Sequence, residues 1–151
     1  MIYGYIVKMK IQETFDHVNN HRWEKAAAGV VSHIHHRVSG THALGGERHD
    51  KKSLLQWFKR LGTVQPKLQL KVNQIWVKGW PWNTTVFVQW DGRATLLNGS
   101  AYVNRGLHVL NLRWGKVYSM EEFQDSQAAA NALDIQANAG LKEAVADQII
   151  S

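Results

Sequence analysis

No cysteine occurs among the 151 residues, which excludes disulfides, thiolate metal sites and a cysteine nucleophile. No run approaches the ~18 consecutive apolar residues of a membrane span. The first eight residues are apolar but short, and lack the basic start and small-residue cleavage site of a secretory signal. A cytoplasmic protein without membrane contact is therefore expected. Charge of one sign is also not concentrated. The net charge is +6, yet the basic residues are scattered, and the densest group is Arg48, Lys51, Lys52, Lys59 and Arg60. That group reads as a solvated helix face, so no nucleic-acid partner is expected. Seven Trp, four Tyr and four Phe supply both a core and walls for a cavity.

Hydrophobic periodicity divides the chain. Ile11, Phe15 and Val18 recur at helical spacing and predict a first helix over about 9–20, leaving 1–8 as an extension dispensable for folding. A short helix follows over 23–31, then a strand over 32–38 and a loop. Asp50 is placed to cap a third helix carrying Leu54, Trp57, Phe58 and Leu61, which Gly62 should end. From Lys67 the period becomes two, and a change of phase at Asn73-Gln74 predicts a β-bulge. Strands are expected over 84–90, 100–112 and 116–124, with turns at 79–82, 91–92, 98–99 and 114–115. Asp125 or Ser126 should cap a helix through Leu133, and Leu141, Val145 and Ile149 mark a further helix. Helices first and an antiparallel meander after them define an α+β fold, with helices on one face of the sheet. The main domain is read as 9–135 and the C-terminal helical tail as 136–151.

Within the strand 100–112, Tyr102, Asn104, His108 and Leu110 share one face, and Gly106 leaves space between them. Three polar groups converging on a concave face can line a pocket, or simply form a cross-strand network. His108 is the sharpest acid/base candidate. In His33-Ile34-His35-His36-Arg37, one of the histidines can serve as a pocket acid/base or donor, while a polar strand edge is the plain alternative. His33 and His35 could join His42 or His108 around a metal, but no carboxylate lies nearby in sequence, and no metal is expected. Asp125 is either a helix cap or a carboxylate that orients a pocket histidine. Trp57, Trp80 and Trp90 are candidate flat walls for a ring-shaped ligand.

Several local segments resemble bacterial SnoaL-like proteins of the nuclear-transport-factor-2-like (NTF2-like) superfamily. They are His42-Ala43-Leu44-Gly45-Gly46, the run from Gly79 to Thr85, the run from Tyr102 to His108, and Leu112 to Val117. Asp125-Ser126-Gln127 before a small-residue helix adds to the match. The resemblance covers about residues 9–135. It implies a cone, in which a curved antiparallel sheet packs against three N-terminal helices around a pocket, and a homodimer paired through the sheet face. It also implies a small apolar, cyclic ligand and cofactor-independent chemistry of the isomerase, cyclase or hydratase kind. By position, His108 falls near an acidic oxyanion-binding residue of ketosteroid isomerases. The rest of that pattern is missing: Phe15 or Thr14 stands where those enzymes carry a tyrosine, and Gly40, Thr41 and His42 stand in the region of their catalytic aspartate.

Two functions stay open at this point. One is an enzyme using His108 with His35, His36 or His42 as acid/base groups. The other is a non-catalytic ligand-binding or interaction module on the same scaffold.

Overall fold

The strands alternate apolar and polar residues and the helices carry apolar stripes, and both patterns bury their apolar side in one interior. The structure, a computed structural model, describes residues 2–151. Helix α1 runs Ile2–Asn19 and α2 is the single turn Trp23–Ala26. Strand β1 is Val30–Val38, β2 is Gly46–Arg48, and α3 is Lys51–Val64. The meander follows as β3 Gln69–Trp80, β4 Asn83–Thr95, β5 Ala101–Arg113 and β6 Lys116–Gln124. Helix α4 is Ser126–Asn138, and a 3₁₀ turn spans Lys142–Val145. No helix among the described residues is long and apolar enough to cross a membrane.

The six strands form one sheet in the order β2-β1-β6-β5-β4-β3. It is mixed rather than wholly antiparallel, because β1 lies parallel to β6. The intervening helix and meander let the chain return in the same direction, a connection that needs far more residues than a hairpin. The bulge falls as expected, between Val72 and Gln74 on β3. Asp91-Gly92 does not end β4, since pairing to both neighbours continues through Arg93.

Both helix caps form as the residue types dictate: Ser53 N–H donates to Asp50 Oδ1 (2.7 Å) and Ala128 N–H to Asp125 Oδ1 (3.1 Å). Gly62 does not end α3. A Cβ there would come 2.6 Å from the Trp23 ring, so this glycine permits close packing of α2 on α3. Three further expectations are corrected. The second helix is only one turn long, because Val30 and the residues after it are taken into β1. The tail beyond Asn138 is a 3₁₀ turn and extended chain, held by Arg60, whose Nε pairs with Glu143 Oε1 (2.7 Å) and whose Nη1 donates to Asp147 O (2.7 Å). Arg48 and Arg60, read as part of a solvated face, are both buried.

Residues 2–8 are not a separate extension, because α1 begins at Ile2. Val7 is buried among Val86, Val88 and Leu112, and the Tyr3 hydroxyl hydrogen-bonds to Thr84 Oγ1. Burial of a valine contributes about 1.5–3 kcal/mol. A chain starting at Met9 is therefore expected to melt roughly 5–10 °C lower, measured by circular dichroism. An unchanged midpoint would show that this turn adds nothing to the core.

The β5–β6 turn, Trp114-Gly115, has φ of 50° and 77° at its two residues. Both central positions of this tight hairpin need the left-handed region, which favours Asn or Gly. Trp114 meets that requirement at a cost of about 1–2 kcal/mol and is 72% exposed, so core packing does not offset it.

Candidate functional site

On β5, Tyr102, Asn104, His108 and Leu110 all point into the interior, as the alternation requires. The sheet register sets His108 between Val88 of β4 and Glu122 of β6, with Gly106 beside Trp90. A Cβ on Gly106 would lie 2.3 Å from the Trp90 ring, so the space that glycine leaves is filled by indole. From there Trp90 Nε1–H donates to His108 Nδ1 (2.7 Å).

That contact fixes the proton on His108. An indole nitrogen only donates, so Nδ1 must carry the lone pair and Nε2 the hydrogen. His108 Nε2 lies 3.7 Å from Glu122 Oε2. The two do not form an ion pair at neutral pH, because burial lowers the imidazole to about 4 and so keeps it neutral. Burial also raises the Glu122 carboxyl to about 7, against the opposing pull of Arg48. Glu122 thus changes charge near neutrality, as a general base should.

Arg48 is fully buried opposite His36 in the β1–β2 pair. Its Nη2 donates to the carbonyls of Gly45 (3.1 Å) and Gly46 (2.7 Å), and its guanidinium lies 5.6 Å from the centre of the Trp57 ring. Desolvation lowers it to about 10, so it remains a cation. His36 lies edge-on to Trp57 and is held well below its ordinary range, first by burial and then by Arg48. It is a neutral ring in this interior.

A cavity of about 80 Å³ opens among these groups, lined by Phe15, Trp57, Trp90, Tyr102, His108 and Glu122 with further apolar residues. One water needs about 10–15 Å³, so the space holds several waters or a compact ring. Asn104 stands behind this wall. Its amide donates to Tyr102 Oη (2.7 Å) and Asp125 O (3.0 Å), and its oxygen accepts from Arg105 N and Asp125 N. Because Tyr102 Oη accepts from Asn104, its own hydrogen is free to donate into the cavity. Burial raises the phenol further, which keeps it protonated.

The structure thus gathers Tyr102, Asn104, His108, Trp57 and Trp90, with His36 close by. Four other candidates lie elsewhere. The Asp125 carboxylate is exposed and caps α4. Trp80 is exposed at the β3–β4 turn. His42 accepts from Leu44 N–H at Nδ1 (3.2 Å) and borders a separate surface concavity with Ala130 and Asp134. His35 is on the outer face of β1, stacked on His49 at 4.8 Å.

Glu122 and Arg48 were not anticipated. Glu122 had a signal, because Glu122 and Gln124 alternate on the same face as Met120, which packs partly buried against the core. Arg48 had none, since its burial follows from the pairing of β2 with β1. A metal set of His33 or His35 with His42 or His108 does not assemble. Among the described residues, His35, Glu47 and His49 bring donor atoms within 4.8 Å of one another. A tetrahedral zinc site needs its donors about 3.4 Å apart. Arg37 Nε already neutralises the Glu47 carboxylate at 3.2 Å, so this cluster reads as a surface ion-pair group.

A curved mixed sheet with helices on one face, closing over an apolar cavity with buried titratable groups, defines an NTF2-like α+β protein. The sequence matches the SnoaL-like domain family over residues 11–120, and the chain belongs to that family. Solved structures agree in fold. TerC, co-crystallised with polyporic acid, is 18% identical, with a TM-score of 0.73 over 85% of this chain and 98% of its own. An NTF2-like protein from Burkholderia pseudomallei is 14% identical, with a TM-score of 0.73 over 83% and 95%. PrhC from Penicillium brasilianum is 10% identical, with a TM-score of 0.76 over 92% and 93%. No curated protein matches the chain in sequence.

Proposed function

We propose that the cavity binds a compact apolar ring bearing a carbonyl, and that Glu122 moves a proton on the carbon beside it. This is the cofactor-independent isomerase, cyclase or lyase class. The single observation that carries the reading is the bond from Trp90 to His108, because it leaves a neutral Nε2–H facing the cavity next to a carboxylate that titrates near 7.

In this mechanism the Glu122 carboxylate accepts the proton. The electron pair of the broken C–H bond passes to the carbonyl oxygen, and His108 Nε2–H donates to that oxygen as charge develops. The protonated Glu122 then returns the proton to the same carbon or to a conjugated one. His108 acts as a fixed donor rather than the acid/base group expected from sequence. Tyr102 supplies a second donor towards the far end of the ligand, and the Arg48 cation sets the field around Glu122.

The test is hydrogen–deuterium exchange at the α-carbon of a panel of cyclic ketones, followed by NMR. Exchange is expected to accelerate and to rise with pH through about 7, as Glu122 ionises. His108→Ala should reduce it by about 10²–10³, the usual effect of removing one oxyanion donor. Binding without accelerated exchange would favour the non-catalytic module, for which the small, largely apolar cavity speaks.

The outer face of the sheet carries Trp76, Val103 and Phe123, each about half exposed or more. We propose a homodimer through that face. Light scattering at tens of micromolar, a range in which interfaces of about 800 Å² per partner hold, should give twice the chain mass. A single-chain mass would refute it.

A further inference from the structure

We propose that one end of this protein docks on an anionic membrane surface, through the first turns of α1 and the two hairpin tips beside them. The surface is built from three segments far apart in sequence. Trp114 N–H donates to Pro81 O (2.6 Å), joining the β5–β6 tip to the β3–β4 tip. The Tyr3 hydroxyl bonds to Thr84, joining α1 to the same place. Tyr3 and Ile6 of α1 also share the walls of an open groove with Gly115 and Val117.

Helix α1 has two apolar faces here. Tyr3, Val7 and Ile11 pack inward. Ile2, Tyr5, Ile6 and Met9 follow the i, i+3, i+4, i+7 rule on the other side and are all exposed, Ile2 by 80%. A helix apolar on both sides is normally covered on both. At the hairpin tips, Trp80 and Trp82 stack at 5.8 Å with Trp114 at 6.2 Å beyond, and all three are more than half exposed. Trp114 holds its exposed position in the left-handed region that a tight turn would give to Asn or Gly. Strain kept at an exposed side chain points to use of that side chain.

Charge selects the occupant. Residues 2–10, 76–85 and 111–118 contain Lys8, Lys10, Lys78, Arg113 and Lys116 and no Asp or Glu. A second copy docking by two-fold symmetry would set this basic surface against itself. A single-stranded nucleic acid would need rings open for base stacking, whereas Trp80 and Trp82 are already stacked on each other. Tryptophan at the polar–apolar boundary, beside a helix with an apolar stripe and flanking lysines, suits a lipid headgroup layer with negative charge. The expectation of no membrane contact came from the lack of a spanning segment. Lying on a surface needs none.

The test is co-sedimentation of the full chain with vesicles of phosphatidylcholine alone, and with about one part in four phosphatidylglycerol. Binding is expected only to the anionic vesicles, with a blue shift in tryptophan emission and release by high salt. Each lysine at the surface should contribute about fivefold. Lys8→Glu with Lys116→Glu should therefore weaken binding well beyond tenfold. Trp114→Asn suits the turn and should keep or raise the melting temperature while weakening binding severalfold. Four results would overturn the proposal: no binding to anionic vesicles at physiological salt, equal binding to both vesicle types, indifference to Trp114→Asn, or loss of self-association in that variant. So would tight binding to DNA or polyglutamate without binding to vesicles.

Discussion

Glu122→Gln is expected to stabilise the protein at pH 8 while removing its proton-transfer activity. The folded carboxyl lies at about 7 against an ordinary 4.5, so the folded state holds its proton more tightly than the unfolded chain does. Its contribution to stability is present in full below about 4.5 and is lost as pH rises through 7, a cost of about 3 kcal/mol. His108 acts in the opposite sense. Its folded value is about 4 against 6.5, so stability falls as pH drops from 6.5 towards 4. Wild-type stability should therefore be nearly flat from about 4.5 to 6.5, where the two slopes cancel, and decline above. The glutamine variant should instead gain stability up to about 6.5 and then hold it. Urea unfolding across this range measures both curves. Parallel curves would show that Glu122 keeps an ordinary pKa, and the assignment of the base would fall with it. Exchange activity should drop by about 10²–10⁴, the usual contribution of a positioned base.

Gly106→Ala should cost about 2–5 kcal/mol, a large effect for one methyl group. The new Cβ would meet Trp90 Cζ2 at 2.3 Å and Phe123 O at 2.7 Å. Strand β5 is paired on both sides and has little room to shift. Trp90, only 2% exposed, must then leave its place and give up its bond to His108. Overpacking costs about 1–3 kcal/mol, and an unsatisfied buried ring nitrogen about as much again. ¹⁵N shifts of the His108 ring report the second part directly. Wild type should show the Nε2–H tautomer, and the variant a mixture. A variant that keeps both its stability and the Nε2–H tautomer would show that Trp90 does not set the protonation of His108.

Local chemistry made much of this fold legible. Asp50 and Asp125 announce helix starts because their carboxylates satisfy free N–H groups within three residues. The change of phase at Asn73-Gln74 marks the bulge because side-chain period counts every inserted residue. The inward facing of Tyr102, Asn104 and His108 follows from the same count. Features set by distant partners were hidden. The first turns of α1 carry apolar residues on two sides, so their periodicity is weak, and only the sheet beneath decides which side is core. Arg48 looks like any surface cation in a basic stretch until β2 pairs with β1. Glu122 sits next to Glu121, and the alternation with Met120 and Gln124 singles it out only once the inward face of β6 is known. The cavity's most reactive group therefore came from strand pairing rather than motif.

The parallel pairing of β1 with β6 also has a consequence for how the chain folds. The meander from β3 to β6 is a series of hairpins whose contacts are close in sequence and can form early. Partners across β1 and β6 are more than 80 residues apart, so this closure carries the larger loop entropy and belongs late. Until it happens, Glu122 sits on an open strand edge, hydrated and ionised above about 4.5. Closure brings Arg48 and the helical layer over it and drives the carboxyl to take up a proton. Between about pH 4.5 and 7 the last folding step should then consume a proton and become less favourable as pH rises, with the cavity and the final structure forming in the same event.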